Sequence, residues 1–170
     1  MNMVRRREFL NALAVGAAGL AVGSTAKSYG QILGSNDRLN FAVIGLNGRA
    51  YAHLSALKAN RSAARISHVC DVDSNILKKF ADSAQQEMGE APVSEQDIRR
   101  ILAQKDVDAI TIATPDHWHT PMAIAGLQAG KHVLVEKPCS HNPAEGAMLI
   151  QAQQKYRKLV QMGTQQRSSP

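Results

Sequence analysis

The sequence predicts an α/β fold, a doubly wound parallel sheet with helices on both faces. Three observations predict it. Short runs of branched apolar residues alternate with helical patterns of about ten residues. The first such run, Phe41–Ile44, stops at Gly45, and a helical pattern begins by Tyr51. Polar clusters, Thr114–His119 and Glu136–Pro138, follow two later strands, at the carboxyl edge where open α/β sheets bind ligands.

Each element has a local reason. Phe41–Ile44 is a run of strand formers closed by glycine. Tyr51–Asn60 reads as the first helix, with Leu54, Leu57 and the alanines facing inward. Arg65–Val69 is a second strand, ending in Cys70-Asp71. Asn75–Met88 is a helix that buries Ile76, Leu77 and Phe80 at helical spacing; Asp73 or Ser74 caps it. Gly89–Pro92 is a turn, and a short third strand lies around Val93. Ser94-Glu95-Gln96-Asp97 carries a capping-box pattern and opens a helix with Ile98, Ile101 and Leu102 inward. Val107–Ala113 is a strand, ended by Thr114-Pro115. Thr120–Ala129 is a helix closed by Gly130, and Lys131–Val135 a strand closed by Glu136-Lys137-Pro138. Pro143–Tyr156 is the last helix and Leu159–Met162 the last strand.

The 170 residues are enough for one domain with its own core. Hydrophobic residues make up 44% and charged residues 20%, an ordinary globular mixture. The formal charge of +6 is partly that of Arg5, Arg6 and Arg7, and partly a cluster of Lys155, Arg157, Lys158 and Arg167. A nucleic-acid face wants basic residues interleaved with aromatics. The chain has one Trp, three Tyr and three Phe, none placed usefully in a basic run, so the cluster reads as a solvated helix face.

The turn Gly45-Leu46-Asn47-Gly48-Arg49-Ala50 approximates G-x-G-x-x-G/A, the phosphate-cradling turn of dinucleotide-binding Rossmann folds. Gly45 suits the sharp turn, and Ala50 lets the helix approach the strand. Asn47 stands where glycine is expected, and Asn tolerates left-handed angles better than other side chains. The helix N-terminus would aim N–H groups at a pyrophosphate. Asp71, at the tip of the second strand, stands where such folds bind the adenosine ribose. With Asp73 or Ser74 capping the next helix, Asp71 is left for the ribose.

With the strand order 3-2-1-4-5-6, Gly45, Thr114 and Lys137 line one crevice. Lys137 is the one cation at a strand tip there, and a lysine can hydrogen-bond a substrate hydroxyl. Asp116, His117 and His119 do not make a metal site: the two histidines diverge at i, i+2, and no fourth ligand is evident.

The segments G-L-N-G-R-A, C-D-V-D, A-T-P-D-H-W-H and V-E-K-P, in this order and spacing, resemble the Gfo/Idh/MocA family, which includes glucose–fructose oxidoreductase and inositol dehydrogenase. The resemblance runs from Asn36 to about Arg167. It implies an NAD-dependent oxidoreductase of sugars, cyclitols or related polyols. It implies that Gly45, Asn47, Gly48 and Arg49 hold the pyrophosphate and Asp71 the ribose. Thr114, Pro115 and His119 would border the nicotinamide, Glu136 its ribose, and Lys137, the catalytic candidate, cofactor and substrate. Asp71 favours NAD over NADP, because it repels a 2′-phosphate. The same family contains NAD-dependent glycosidases, which leaves a hydrolase as an alternative, beside a nucleotide-binding module without turnover.

Residues 1–26 read as a targeting segment. Arg6-Arg7-Glu8-Phe9-Leu10, an uncharged Ala- and Gly-rich stretch and Ser24-Thr25-Ala26 resemble a twin-arginine signal, which exports folded proteins toward the periplasm. The stretch is short and rich in Ala and Gly, against the ~20 strongly apolar residues that a membrane span wants. Residues 27–38 read as a linker, 39–163 as the dinucleotide domain and 164–170 as the start of a connection. The family's substrate domain, with its proton-abstracting groups and oligomer contacts, does not follow within these residues. The expectation is that this chain alone is catalytically incomplete. Cys70 and Cys139 stand at strands two and five, three spacings or about 14 Å apart, against about 7 Å for a disulfide. Both are expected to be free thiols.

Overall fold

A computed structural model describes residues 38–164. The predicted leader, the linker up to residue 37 and the exit beyond 164 lie outside the described residues. The element order is β1 (Leu39–Ile44), α1 (Ala50–Ala59), β2 (Ala64–Cys70), α2 (Ser74–Met88), β3 (Val93–Glu95), α3 (Ile98–Leu102), β4 (Ala109–Ile112), a 3₁₀ turn (Asp116–Trp118), α4 (His119–Gln128), β5 (His132–Val135), α5 (Pro143–Tyr156) and β6 (Val160–Met162). The six strands form one sheet in the order β3-β2-β1-β4-β5-β6. Every pairing is parallel. The expected doubly wound Rossmann sheet is the observed one, and the predicted strand order is met.

The strands are buried on both faces because helices cover both. Ala42 and Ile44 of β1 point into one core, with Ile110, Ile112, Val133, Val135, Leu127 of α4 and Leu149 of α5. Val43, between them, points into the other, with Val69, Leu54 of α1 and Leu77 and Phe80 of α2. Period-two alternation thus feeds two hydrophobic layers. Lys131, just before β5, is drawn inward, and its ammonium donates to the carbonyls of Gln104 and Val107.

Two local expectations need correction, and one open alternative is decided. Ser94 and Glu95 do not open a helix: both lie in β3, paired to Val69 and Cys70. Asp97 is the cap of α3, accepting from the Arg99 N–H at 3.0 Å. A short strand and a helix start three residues apart share the same polar letters, and the sheet edge claimed them. In α1 the inward face is Ala50, His53, Leu54 and Leu57. The remaining alanines are exposed, because the apolar stripe is narrow and a histidine joins it. The cap of α2 is Asp73, whose carboxylate accepts from Asn75 N and Ile76 N, so Ser74 is the first helical residue.

Cys70 and Cys139 are free thiols, the first buried and the second partly so. Burial first, and then the neighbouring Asp71, Asp97 and Glu95 carboxylates, push the Cys70 thiol up to about 12. Reactivity needs thiolate and access. A thiol-reactive dye should therefore label Cys139 in the folded chain and Cys70 only after unfolding. Equal labelling rates would contradict this packing.

Candidate functional site

The site begins at the contact between two strand tips. Gly45 has φ +78°, and a Cβ there would stand 2.6 Å from Thr114 N and 2.8 Å from the carbonyl carbon of Ala113. Only glycine fits, since the left-handed angle and the close backbone both exclude a side chain. The turn from β1 into α1 therefore lies directly against the loop after β4. The left-handed step that Asn47 could have tolerated is made by Gly48, at φ +25°. Asn47 serves otherwise: its Oδ1 accepts the Gly48 N–H at 2.9 Å.

Two carboxylates hold this turn from opposite sides. On the β2 side, Asp71 Oδ2 accepts the Leu46 N–H at 2.7 Å and Oδ1 the Asp73 N–H at 3.0 Å. Asp71 was expected to be left for a ligand; it is already engaged with backbone on both oxygens, although each keeps a further lone pair. On the β5 side, Glu136 Oε1 accepts from Arg49 Nε at 2.7 Å and meets His53 Nε2 at 2.8 Å. Arg49 and His53 stand four residues apart, on one helix face. Sequence reasoning missed His53; its signal was that spacing after Arg49.

Burial is the largest influence on the Glu136 carboxyl and acts to raise it. The hydrogen bonds from His53 and Arg49, with the Arg49 charge, outweigh burial and hold the group below its ordinary 4.5. A depressed carboxyl contributes stability above the unfolded-state pKa and loses it as pH falls through the folded value. Acid unfolding followed by circular dichroism should be less steep for E136Q than for the wild type. Identical acid limbs would count against this assignment.

Beyond Gly45 the carboxyl edge opens into two recesses. The larger is a cleft of about 580 Å³, within the range of small-molecule sites. Asp71, Val72, Ile98, Trp118 and Met122 line it. Val72 and Trp118 are large apolar side chains left 84% and 50% exposed there. Arg99 also lines it, but its guanidinium is bonded to Asp97. Those Arg99 contacts hold the Asp97 carboxyl at about 2. The smaller recess brings together Arg49, Thr114, Asp116, His119, Glu136 and Lys137. Lys137 is exposed, and the peptide joining it to Pro138 is cis. It is not alone there: the Arg49 guanidinium shares the recess.

Thr114 lines both recesses, and its buried hydroxyl has no protein partner. His119 lies behind the recess surface. It is buried, and its ring spans the carbonyls of Thr114, at 2.8 Å, and Pro138, at 2.6 Å. It ties the loop after β4 to the loop after β5. Pro115 and His117 are exposed beside it. Among the described residues no three His, Cys, Asp or Glu side chains are grouped to hold a metal.

The residues present fit a bound dinucleotide: a glycine cradle that a Cβ would fill, an orphaned threonine hydroxyl, and an apolar cleft ending in Asp71. Residues 39–164 match the family model described as "Oxidoreductase family, NAD-binding Rossmann fold". A glycosyl hydrolase family 109 protein of Saccharopolyspora erythraea is 30% identical over 92% of this chain and 38% of its own length. The chain thus spans less than two fifths of the curated relatives it matches. Among solved structures, the WlbA dehydrogenase of Bordetella pertussis, in complex with NADH and UDP-GlcNAcA, superposes with a TM-score of 0.71 at 25% identity. The match covers 78% of this chain and 38% of that one. The myo-inositol 2-dehydrogenase of Lactobacillus plantarum gives 0.68, also at 25% identity and with the same coverage. With the glycine cradle and the six-stranded parallel sheet in place, the chain belongs to the Gfo/Idh/MocA oxidoreductase family, through its NAD-binding Rossmann domain.

Proposed function

We propose that this chain supplies the cofactor-binding half of an NAD-dependent oxidoreductase that acts on a sugar, cyclitol or related polyol. The observation that carries the reading is the join of Gly45 to the Thr114 loop. It leaves one continuous edge, with an apolar cleft and Asp71 on one side and Lys137 on the other. Val72, Ile98 and Trp118 would receive the adenine, Asp71 the adenosine ribose, and Gly45, Asn47, Gly48 and Arg49 the pyrophosphate. Thr114 and Pro115, with His119 behind them, would border the nicotinamide, which when bound supplies the hydride acceptor. Lys137 would hold the substrate hydroxyl through its Nζ, and an ammonium there favours the developing alkoxide. Closure of the two loops by His119 fixes where that ammonium stands. The dehydrogenase neighbours, one bound to a sugar nucleotide and one named for inositol, support this substrate class.

A second reading rests on the glycosyl hydrolase family 109 relatives at 30% and 35% identity. In it the same hydride leaves and returns within one turnover, and a glycoside is cleaved. Product analysis on a longer form carrying its substrate domain separates the two, since net NADH release belongs only to the dehydrogenase. Export by the twin-arginine route belongs to this proposal as well. Replacing Arg6 and Arg7 by Lys should retain the protein in the cytoplasm of a host with that pathway.

Trp118 makes the first test direct. It is the chain's one tryptophan and stands in the wall of the adenine cleft. NAD should quench its fluorescence saturably, and NMN, which lacks adenine, should not. A Trp118 signal indifferent to NAD, with no heat of binding by calorimetry, would refute the reading.

A further inference from the structure

The resemblance places Glu136 against the nicotinamide ribose, but the geometry argues against direct contact. Its side chain is only 7% exposed. Its Oε1 is met by two donors, Arg49 and His53. From behind, Gly163 closes the space: a Cβ there would stand 3.1 Å from both carboxylate oxygens. Gly163 holds that position because its N–H continues the sheet, donating to Val135 at 2.8 Å. His53 Nδ1 is buried without a protein partner, which fits a ring whose proton sits on Nε2 and is donated to the carboxylate.

Arg49 differs in kind. It immediately precedes α1, it is 42% exposed, and it faces the recess that holds Lys137. A guanidinium is a rigid planar fork, so a bond at Nε sets the direction of the whole group. Arg49 lies on the β5 side of the glycine turn, and the apolar cleft on the β2 side. The phosphate within its reach is therefore the one nearer the nicotinamide.

We propose that Glu136 is a positioning residue, which with His53 aims the Arg49 guanidinium at the nicotinamide-side phosphate of the cofactor. This rests on the dinucleotide reading. Glu136 acts only through Arg49, so the two side chains form one functional unit. It also gives Gly163 a reason, as the residue that leaves room for the carboxylate.

The test is a double-mutant cycle on the chain, with NAD and AMP titrated by calorimetry into wild type, E136Q, R49Q and the double variant. A lost charge-assisted hydrogen bond corresponds to about tenfold in affinity. E136Q and R49Q should each weaken NAD about tenfold. Both should leave AMP, which lacks the second phosphate, within about twofold. The double variant should be no weaker than R49Q alone, because the pair acts as a unit. Additive losses, about a hundredfold in the double variant, would mean that Glu136 touches the cofactor itself and overturn the proposal. Undiminished NAD affinity in R49Q, or equal losses of AMP and NAD, would overturn it too. R49Q carries a half-exposed change and reads out the proposal even if E136Q does not fold. Failure of the wild type to bind either nucleotide would instead sink the dinucleotide reading.

Discussion

Gly45→Ala is expected to abolish NAD binding and to bring the domain to the edge of unfolding. Two costs combine. A side chain at φ +78° sits in the left-handed region, at about 1–3 kcal/mol. The new Cβ also meets backbone, Thr114 N at 2.6 Å and Thr114 Cα at 2.8 Å, which cannot rotate away. Overpacking of this kind adds roughly 1–3 kcal/mol. The sum, roughly 2–6 kcal/mol, is a large part of the 5–15 kcal/mol typical of a domain. Relief comes only if β1 and β4 separate at their tips, which opens the phosphate cradle. Gly48→Ala is the control. It lies at φ +25° with nothing within 4 Å of its Cβ, so it carries the backbone cost without the clash. Thermal melts should place Gly48→Ala a few degrees below wild type and Gly45→Ala far below both. A Gly45→Ala chain with wild-type melting and NAD affinity would show that the two tips do not bear on each other.

That contact marks what the sequence could and could not carry. Gly45, between an apolar run and a helical pattern, announced a tight turn, because a local rule decides it. The strand order followed from alternation and connection rules that hold across α/β sheets. The third strand was harder. Val93–Glu95 is three residues long and holds polar letters that also spell a helix start. The site divides along the same line. The positions of Asp71 and Lys137 at the carboxyl edge were legible because each follows a strand. The partners of Glu136 were not, since Arg49 and His53 lie more than eighty residues away and join it only through the fold. His119 is a different case: it reads from sequence as a histidine in a polar loop, and nothing local told that its ring is buried between two carbonyls. Burial of a polar side chain depends on what the opposite loop brings, and no local pattern encodes that.

Asp71→Ala should weaken NAD binding about 10- to 100-fold and bring the affinities for NAD and NADP close together. The first effect has two sources. The carboxylate is the expected acceptor of the ribose hydroxyls, and hydrogen bonds to charged groups are worth about 1.5–3 kcal/mol. It also fastens the glycine turn through the Leu46 N–H at 2.7 Å, so its loss loosens the phosphate cradle. The second effect is electrostatic. In the wild type a 2′-phosphate would lie against a carboxylate with no cation at hand to offset it. Arg99 lines the same cleft, but its guanidinium is held in a bidentate pair by Asp97 at 2.7–3.0 Å. Lys78 and Lys79 are exposed on α2, away from the cleft lining. Wild type should therefore favour NAD by at least about tenfold, the size of one unfavourable charge contact of ~1.4 kcal/mol. Removing the charge strips NAD of its acceptor and NADP of its repulsion, and the ratio falls toward one. Releasing Arg99 as well, in Asp71→Ala/Asp97→Ala, should turn the preference toward NADP, because an unpaired guanidinium in that cleft can take the phosphate in bidentate fashion. Parallel titrations of the two cofactors into the three chains measure each step. Tighter binding of NADP than NAD by the wild type would remove Asp71 from its place at the ribose.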